Sequence, residues 1–355
     1  MKTNHKFFLN LAFQLAEKNL GKTNQNPSVG SVVVKNNTVI SSGITSVGGR
    51  PHAEFNALKN KNTFKGADLY TTLEPCTHYG FTPPCVNLII KKKINNVFYS
   101  FEDPDKRTFK KAKKKLKKKN IYVRLIKNDK FKSFYSSYFI NKKFKIPFIS
   151  AKIAISKDFF TINKKSKWIT GEHSRKITHF LRSQNDCIVS TSKSINKDNS
   201  LLNCRIDRLN TYNPDLLIID LNLRLKKFLA LNKIVNKRKT FIITKKENKK
   251  NIKYFKKKGF KIIFIDALDS KNDFKKLFKD IYELGYNRVF FETGLTFLNT
   301  LINFKLLNQL YVFQNNINLK KNGSNNCSPR NLQRIKLNKK IRVNLNNDML
   351  YKQEF

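Results

Sequence analysis

Acidic residues are scarce in this chain: 24 Asp and Glu stand against 72 Lys and Arg over 355 residues, a formal net charge of +48. Glycine and proline are also few, at 12 and 9. A charge of that size invites nucleic acid as a partner. The lysines, however, are spread along the whole chain among Asn, Ile and Phe, as in a protein translated from a strongly AT-biased genome. Clusters that alternate aromatic and basic residues, which would serve base stacking, are missing, so no specific nucleic-acid partner is expected. Five cysteines, an odd number at irregular spacing, exclude a disulfide framework. Cys187, Cys204 and Cys327 read as small core residues or bystanders. No run approaches the ~20 apolar residues of a membrane span. The stretch from Phe7 to Leu20 is broken by Asn10, Gln14 and Glu17, so no signal peptide is expected there. A cytoplasmic chain with no membrane partner is expected. No glycine-rich fingerprint of the common dinucleotide fold is present.

What is present suffices for two α/β domains, 1–145 and 146–355, since one hydrophobic core rarely serves a chain this long. Phe8, Leu11, Ala12 and Leu15 recur at helical spacing and predict an opening amphipathic helix. Ser31 to Val34 and Thr38 to Ile40 flank Lys35-Asn36-Asn37 as a hairpin. A helix is expected from His52 past Leu58, a strand over Leu69 to Leu73, and a second helix from Cys85. Val97 to Phe101 and Ile121 to Ile126 read as strands. Between them Phe109, Ala112 and Leu116 form the predicted buried stripe of a lysine-coated helix. The pattern restarts near Lys145-Ile146-Pro147. Strands follow over Phe148 to Ile155, Ile188 to Ser190, Leu216 to Asp220, Thr240 to Thr244, Lys261 to Ile265 and Arg288 to Phe291, with helices between several of them.

One constellation carries chemistry. His52-Ala53-Glu54 is followed by Pro75-Cys76 and then Cys85. One imidazole and two thiolates can close three corners of a zinc tetrahedron and leave the fourth to water. Glu54, beside the histidine but not a ligand, can move protons between that water and a departing amine. A lone histidine is usually structural and a pair of cysteines usually packs. The full set in this order is the signature of a zinc deaminase.

The spacing narrows the reading, because eight residues, Thr77 to Pro84, separate the cysteines where two are usual. Leu73-Glu74-Pro75-Cys76-Thr77-His78-Tyr79-Gly80-Phe81-Thr82-Pro83-Pro84-Cys85 resembles the deaminase domain of the bifunctional riboflavin-biosynthesis deaminase–reductases. So do Asn26-Pro27-Ser28-Val29-Gly30 and Pro51-His52-Ala53-Glu54. The second domain resembles the reductase half of that family through Lys152, Ser156-Lys157-Asp158, Ser166-Lys167-Trp168-Ile169-Thr170, Leu181-Arg182, Asp198, Leu202, Arg205 and Phe291-Glu292-Thr293-Gly294.

The resemblance implies a cytidine-deaminase-like α/β/α layer domain, then a dihydrofolate-reductase-like α/β domain. It implies zinc and NADPH as cofactors, a small-molecule phosphoribosyl pyrimidine as substrate, and a homo-oligomer. By position it implies substrate contacts at Asn26 and His78 in the first domain and at Ser166, Arg182, Arg205 and Glu292 in the second. Cofactor contacts fall at Ile155, Trp168, Ser194, Asp198, Leu221 and Gly294. Physically, Arg182 and Arg205 can grip a phosphate or the uracil edge, and Trp168 offers a flat wall. Asp158 and Glu292 are acceptors for ribose hydroxyls or ring nitrogens. Glu292-Thr293-Gly294 reads as a turn into a helix whose N-terminus can seat a cofactor phosphate.

Some positions depart from the family pattern. Phe81 stands where a Lys or Arg is usual, so Lys106 or Arg107 is expected to take over the phosphate. Phe159 replaces a glycine that can supply a positive φ cheaply. Ser200 and Leu221 replace the expected proline and serine. Two competing readings follow: a deaminase alone, with an eroded structural second domain, or a deaminase acting on nucleic acid.

Overall fold

A computed structural model describes residues 4–60, 63–206, 213–246, 249–327, 337 and 339–355. It divides into two units, Met1–Lys145 and Ile146–Phe355.

In the first unit α1 (His5–Glu17) is capped by Asn4, whose side chain accepts the Phe7 N–H at 3.1 Å. The hairpin β1 (Gly30–Lys35) and β2 (Thr38–Ile44) follows, then α2 (Ala53–Leu58), β3 (Asp68–Leu73) and α3 (Cys85–Lys91). The unit closes with β4 (Asn96–Phe101), α4 (Lys111–Lys117), β5 (Tyr122–Leu125) and α5 (Ser136–Phe144). The sheet runs β2-β1-β3-β4-β5, antiparallel through the hairpin and β3, and parallel from β3 to β5. Helices cover both faces, which is why β3 is buried almost end to end. Leu69, Val97 and Val123 pack with Ala57, Leu58, Val86, Ile89, Ala112 and Leu116 on one face. Val32, Val34, Tyr70 and Phe98 meet Phe8, Leu9 and Ala12 of α1 on the other.

Two predicted stripes shift. The buried face of α1 is Phe8, Leu9, Ala12, Phe13 and Ala16, and Leu11 and Leu15 lie at its edge. The cause is a second contact: Phe13 and Ala16 turn toward Phe131, Phe134, Tyr135 and Tyr138, more than a hundred positions away and invisible to local periodicity. In α4, Ala112 and Leu116 are fully buried but Phe109 is 44% exposed. The helix starts only at Lys111, after Lys110 at φ 58°, so Phe109 is out of phase with it.

Gly43 lets α2 lie against β2. A Cβ there would stand 2.3 Å from the Ala53 carbonyl oxygen and 2.4 Å from the Ala57 nitrogen, which no side chain tolerates. The position of the His52 to Glu54 segment therefore depends on a missing methyl group.

The second unit comprises β6 (Phe148–Ile155), β7 (Phe160–Asn163), α6 (Glu172–Ser183), β8 (Cys187–Thr191), α7 (Ser192–Asp198), β9 (Asp215–Ile219), β10 (Thr240–Thr244) and α8 (Lys249–Lys257). These are followed by β11 (Lys261–Phe264), α9 (Lys271–Glu283), β12 (Arg288–Phe291), α10 (Leu295–Asn303), β13 (Gln309–Asn315), β14 (Gly323–Asn326), β15 (Lys340–Ile341) and β16 (Asp348–Glu354). The main sheet runs β11-β10-β9-β8-β12-β6-β13-β16-β15, parallel up to β13 and antiparallel beyond it. Phe274, Leu277, Phe278 and Ile281 of α9 and Leu295, Leu298 and Leu301 of α10 bury one face. Ile195, Ile252 and Phe255 bury the other. Cys187, Cys204 and Cys327 are buried, as the sequence suggested. Among the described residues no helix is long and apolar enough to cross a membrane.

Phe159 sits at φ 67°, the left-handed region that a glycine enters without strain. It holds that turn through its main chain. Its N–H donates to Ser156 O at 3.1 Å, and its carbonyl accepts the Cys327 N–H at 3.0 Å.

Candidate functional site

Three segments that end or begin regular elements deliver the first site. His52 is the residue before α2, Cys76 lies in the loop after β3, and Cys85 opens α3. His52 Nδ1 lies 3.6 Å from Cys76 Sγ and 3.5 Å from Cys85 Sγ. All three donor atoms fall within 4.8 Å of one another. A tetrahedral zinc with bonds of about 2.0–2.3 Å sets its ligand atoms roughly 3.3–3.8 Å apart. The donor set and its spacing fit that ion.

Glu54 stands in the first turn of α2, buried, with Oε2 3.5 Å from Cys85 Sγ. Burial, with the negative charge at Cys76 added, lifts its carboxyl to about 7. The hydrogen bond from Cys85 draws the Cys76 thiol down to about 4, helped by His52. The amide of Cys85 also donates to Cys76 Sγ at 3.2 Å, so α3 presents its first N–H to the sulfur.

The walls of this site are fastened by backbone contacts. Asn26 Nδ2 donates to the Gly49 carbonyl at 3.0 Å, tying the 23–26 turn to the segment before His52. His78 Nδ1 lies 3.1 Å from Thr108 Oγ1. Glu74 was read only as part of a motif, yet its buried carboxylate accepts the amides of Asp103, Lys110 and Ala112 at 3.3, 3.0 and 3.0 Å. Thr77 Oγ1 donates to the Arg107 carbonyl at 2.8 Å. Together these bonds hold the 103–112 segment against the loop that carries Cys76.

In the second unit Ile155 closes β6, Ser194 follows β8 in α7, Leu221 follows β9, and Gly294 follows β12. Those four strands are neighbours in the order β9-β8-β12-β6 and run parallel. Their carboxyl ends form one edge, where α/β sheets bind ligands. A Cβ on Gly294 would lie 3.9 Å from Ser194 Oγ, so the hydroxyl stands beside the N-terminus of α10. Asp198 is exposed at the end of α7. Trp168 is 52% exposed, with the Arg175 guanidinium 4.8 Å above its ring, and its backbone amide donates to Ser166 Oγ at 3.2 Å.

Arg182 and Glu292 do not stand as two open binding groups. Their side chains pair through Nε with Oε1 and through Nη2 with Oε2, the latter at 3.0 Å. Lys152 Nζ adds a contact to Oε2 at 3.7 Å. Arg182 Nη1 donates to the Asn203 carbonyl at 2.8 Å. Burial would lift the Glu292 carboxyl, but Arg182 and Lys152 outweigh it and hold the group below its usual range. Arg205 places its amide 3.3 Å from His179 Nδ1, and its guanidinium meets Asn203 Oδ1 at 2.6 Å. His179 went unnoticed in the sequence. It lies three residues before Arg182 on α6, the spacing of one helix face, and its Nδ1 is 3.2 Å from Arg182 Nη1. Burial, with Arg182 and Arg205 beside it, draws its pKa down to about 4. Asp158 is occupied too: its carboxylate accepts Ser156 Oγ–H at 2.6 Å and the amides of Leu319 and Lys320 at 3.0 and 2.8 Å. Three donors thus engage it in shaping a turn.

A zinc-type deaminase unit joined to a reductase-type α/β unit is the class of protein these two sites define. Residues 2–101 match the cytidine and deoxycytidylate deaminase zinc-binding region, and residues 147–351 match the RibD C-terminal domain. The chain is 35% identical over 278 residues to the riboflavin biosynthesis protein RibD of Aquifex aeolicus, covering 77% of each. It is 31% identical over 329 residues to that of Buchnera aphidicola subsp. Baizongia pistaciae, covering 86% of each. In fold it is similar to the deaminase/reductase structure from Thermotoga maritima (TM-score 0.83, 24% identity, 99% of this chain and 98% of that one). Acinetobacter baumannii RibD is similar as well (TM-score 0.82, 22% identity, the same coverage). The chain belongs to the RibD family of riboflavin biosynthesis proteins. It is an enzyme of riboflavin biosynthesis with deaminase and reductase activities, using zinc and NADPH. A match across the second unit does not favour the reading of an eroded module, and neither competing function is favoured.

Proposed function

We propose that the first unit hydrolytically deaminates 2,5-diamino-6-(5-phosphoribosylamino)pyrimidin-4-one and that the second reduces the ribosyl group of the product to a ribityl chain. The observation that carries the first half is the tetrahedral spacing of His52 Nδ1, Cys76 Sγ and Cys85 Sγ beside a buried Glu54. His52, Cys76 and Cys85 would hold zinc, which when bound would supply a water ionised near neutral pH. Glu54 takes a proton from the attacking water and passes it to the adjacent ring nitrogen as the C–O bond forms. It then carries the remaining hydroxyl proton to the exocyclic nitrogen at ring position two, whose C–N bond breaks so that it leaves as ammonia and the oxygen stays as a carbonyl. Burial raises the Glu54 carboxyl above its ordinary range, which helps it hold a proton between the two transfers. Asn26 and His78 orient the pyrimidine.

In the second half NADPH supplies the hydride. The residues of this chain fix geometry: Ile155, Trp168, Ser194, Asp198, Leu221 and Gly294 seat the cofactor along the carboxyl edge of the sheet. The N-terminus of α10 favours its phosphate. Ser166, Arg182, Arg205 and Glu292 face the substrate, and the Arg182–Glu292 pair makes that wall rigid. We assign the chain to the cytoplasm and to a homo-oligomer, which light scattering on the purified protein checks.

The deciding experiment combines metal analysis with ammonia release from the pyrimidinone phosphate, for the wild type and Glu54→Gln. One zinc per chain is expected in both, with turnover lost in the variant by about 10²–10⁴-fold. A variant that turns over normally removes Glu54 as the proton carrier.

A further inference from the structure

The phosphate of the proposed substrate calls for a cation at the rim of the deaminase site, and Phe81 carries none. Of the two replacements the sequence suggests, Arg107 has its guanidinium fork closed on Asp105, Nε to Oδ1 at 2.9 Å and Nη2 to Oδ2 at 2.7 Å. Lys115 spends its ammonium on the Thr77 carbonyl at 2.8 Å. Among the described residues the Lys106 ammonium makes no ion pair and no hydrogen bond to the loop between the cysteines.

Arg50 does reach that loop. It lies two residues before His52, and its Nη1 donates to Thr82 Oγ1 at 2.9 Å. Its guanidinium carbon is 5.3 Å from the centroid of the Phe81 ring. A Cβ on Gly80 would come within 3.3 Å of Nη2, so the glycine leaves room for the guanidinium to lie on the loop. Phe81 is 94% exposed and contributes nothing to a core; the contact it makes is with the arginine. Among the described residues no carboxylate comes within ion-pair distance of Arg50. An aromatic ring on the flat face of a guanidinium leaves its edge N–H groups available to phosphate oxygens. In Arg50 one of them goes to the neutral Thr82 hydroxyl, and no carboxylate competes for the others among the described residues.

We propose that Arg50, staged on the Phe81 ring, grips the substrate phosphate in the deaminase half and sets its preference for a phosphorylated pyrimidine. This rests on the reading of that half as a deaminase of a phosphoribosyl pyrimidine.

The test is steady-state ammonia release by the zinc-loaded full chain, on the phosphorylated substrate and on its dephosphorylated counterpart, with zinc content read for every variant. Arg50→Ala is expected to raise KM for the phosphorylated substrate by about tenfold to a hundredfold, the scale of lost hydrogen bonds to a charged group. Its kcat, and its KM for the dephosphorylated form, stay within about twofold of wild type. Arg50→Lys falls between, and keeps the test open should the alanine variant lose zinc. Adding Phe81→Lys to Arg50→Ala returns a cation to the same loop and restores most of the lost affinity. Equal KM changes on both substrates, or none on either, overturn the assignment. A wild-type enzyme that releases ammonia from neither substrate removes the deaminase reading itself, and this proposal with it.

Discussion

Arg182 and Glu292 meet side-on within the second unit, the planar fork of one matched to both oxygens of the other, with side-chain exposures of 11% and 6%. A pair this buried costs little while intact and much when half of it is removed. Glu292→Ala should destabilise the second unit by roughly 3–5 kcal/mol. In a double-mutant cycle, Arg182→Ala with Glu292→Ala should cost clearly less than the sum of the single losses. Denaturation followed by circular dichroism checks both. Additive losses would mean that the two side chains act independently.

Gly43→Ala places a methyl group inside van der Waals distance of the α2 backbone. Because α2 carries Glu54 and begins directly after His52, the strain should appear as chemistry as well as stability. Expected are a loss of about 1–3 kcal/mol and a lower zinc content at equal protein concentration. A variant with full zinc occupancy and unchanged melting would show that α2 is free to shift.

Asp103 supplies a pH dependence. It is buried, its carboxylate accepts Tyr138 Oη–H and the Asp105 N–H at 2.9 Å each, and burial lifts it to about 6. An unfolded aspartate titrates near 3.9. Between about 4 and 6 the folded chain therefore holds more protons than the unfolded one, and the contribution of this group to stability falls as pH rises. Asp103→Asn mimics the neutral acid. Relative to wild type its melting temperature should rise as pH increases from 4 to 7, and thermal melts of both proteins across that range decide it. A difference that is flat or of opposite slope contradicts the assignment.

Trp168 is half out of the protein and contributes little to any core. Trp168→Ala should leave stability within about 0.5 kcal/mol and raise KM for NADPH roughly threefold to tenfold, the loss of one stacking wall. Nicotinamide oxidation measured with the deaminated substrate provides the readout. An unchanged KM would leave Trp168 without a role at the cofactor.

The metal site was legible because its ligands sit at element boundaries that local patterns mark: His52 before a helix, Cys76 after a strand, Cys85 opening a helix. The parallel strands from β3 to β12 were equally plain as short apolar runs, but β13, Gln309–Asn315, which pairs in parallel with β6, was not read as a strand. What the sequence hid depends on distant partners. The buried face of α1 extends to Phe13 and Ala16 because aromatics at 131–138 reach it. Arg182 looked like an open binding group because nothing nearby in sequence shows that Glu292, 110 residues on, will close its fork. The fears raised by Phe159 were right about backbone geometry, since the residue does take the positive φ. The turn survives because its anchoring bonds use main-chain atoms.

Glu74 grips the segment above the metal loop by the amides of Asp103, Lys110 and Ala112, groups every non-proline residue carries. Such a clasp is blind to side-chain identity. Substitution after substitution toward lysine can accumulate along that segment while the catalytic floor beneath it keeps its shape. A lineage under mutational bias can in this way rewrite its surface and leave its chemistry untouched.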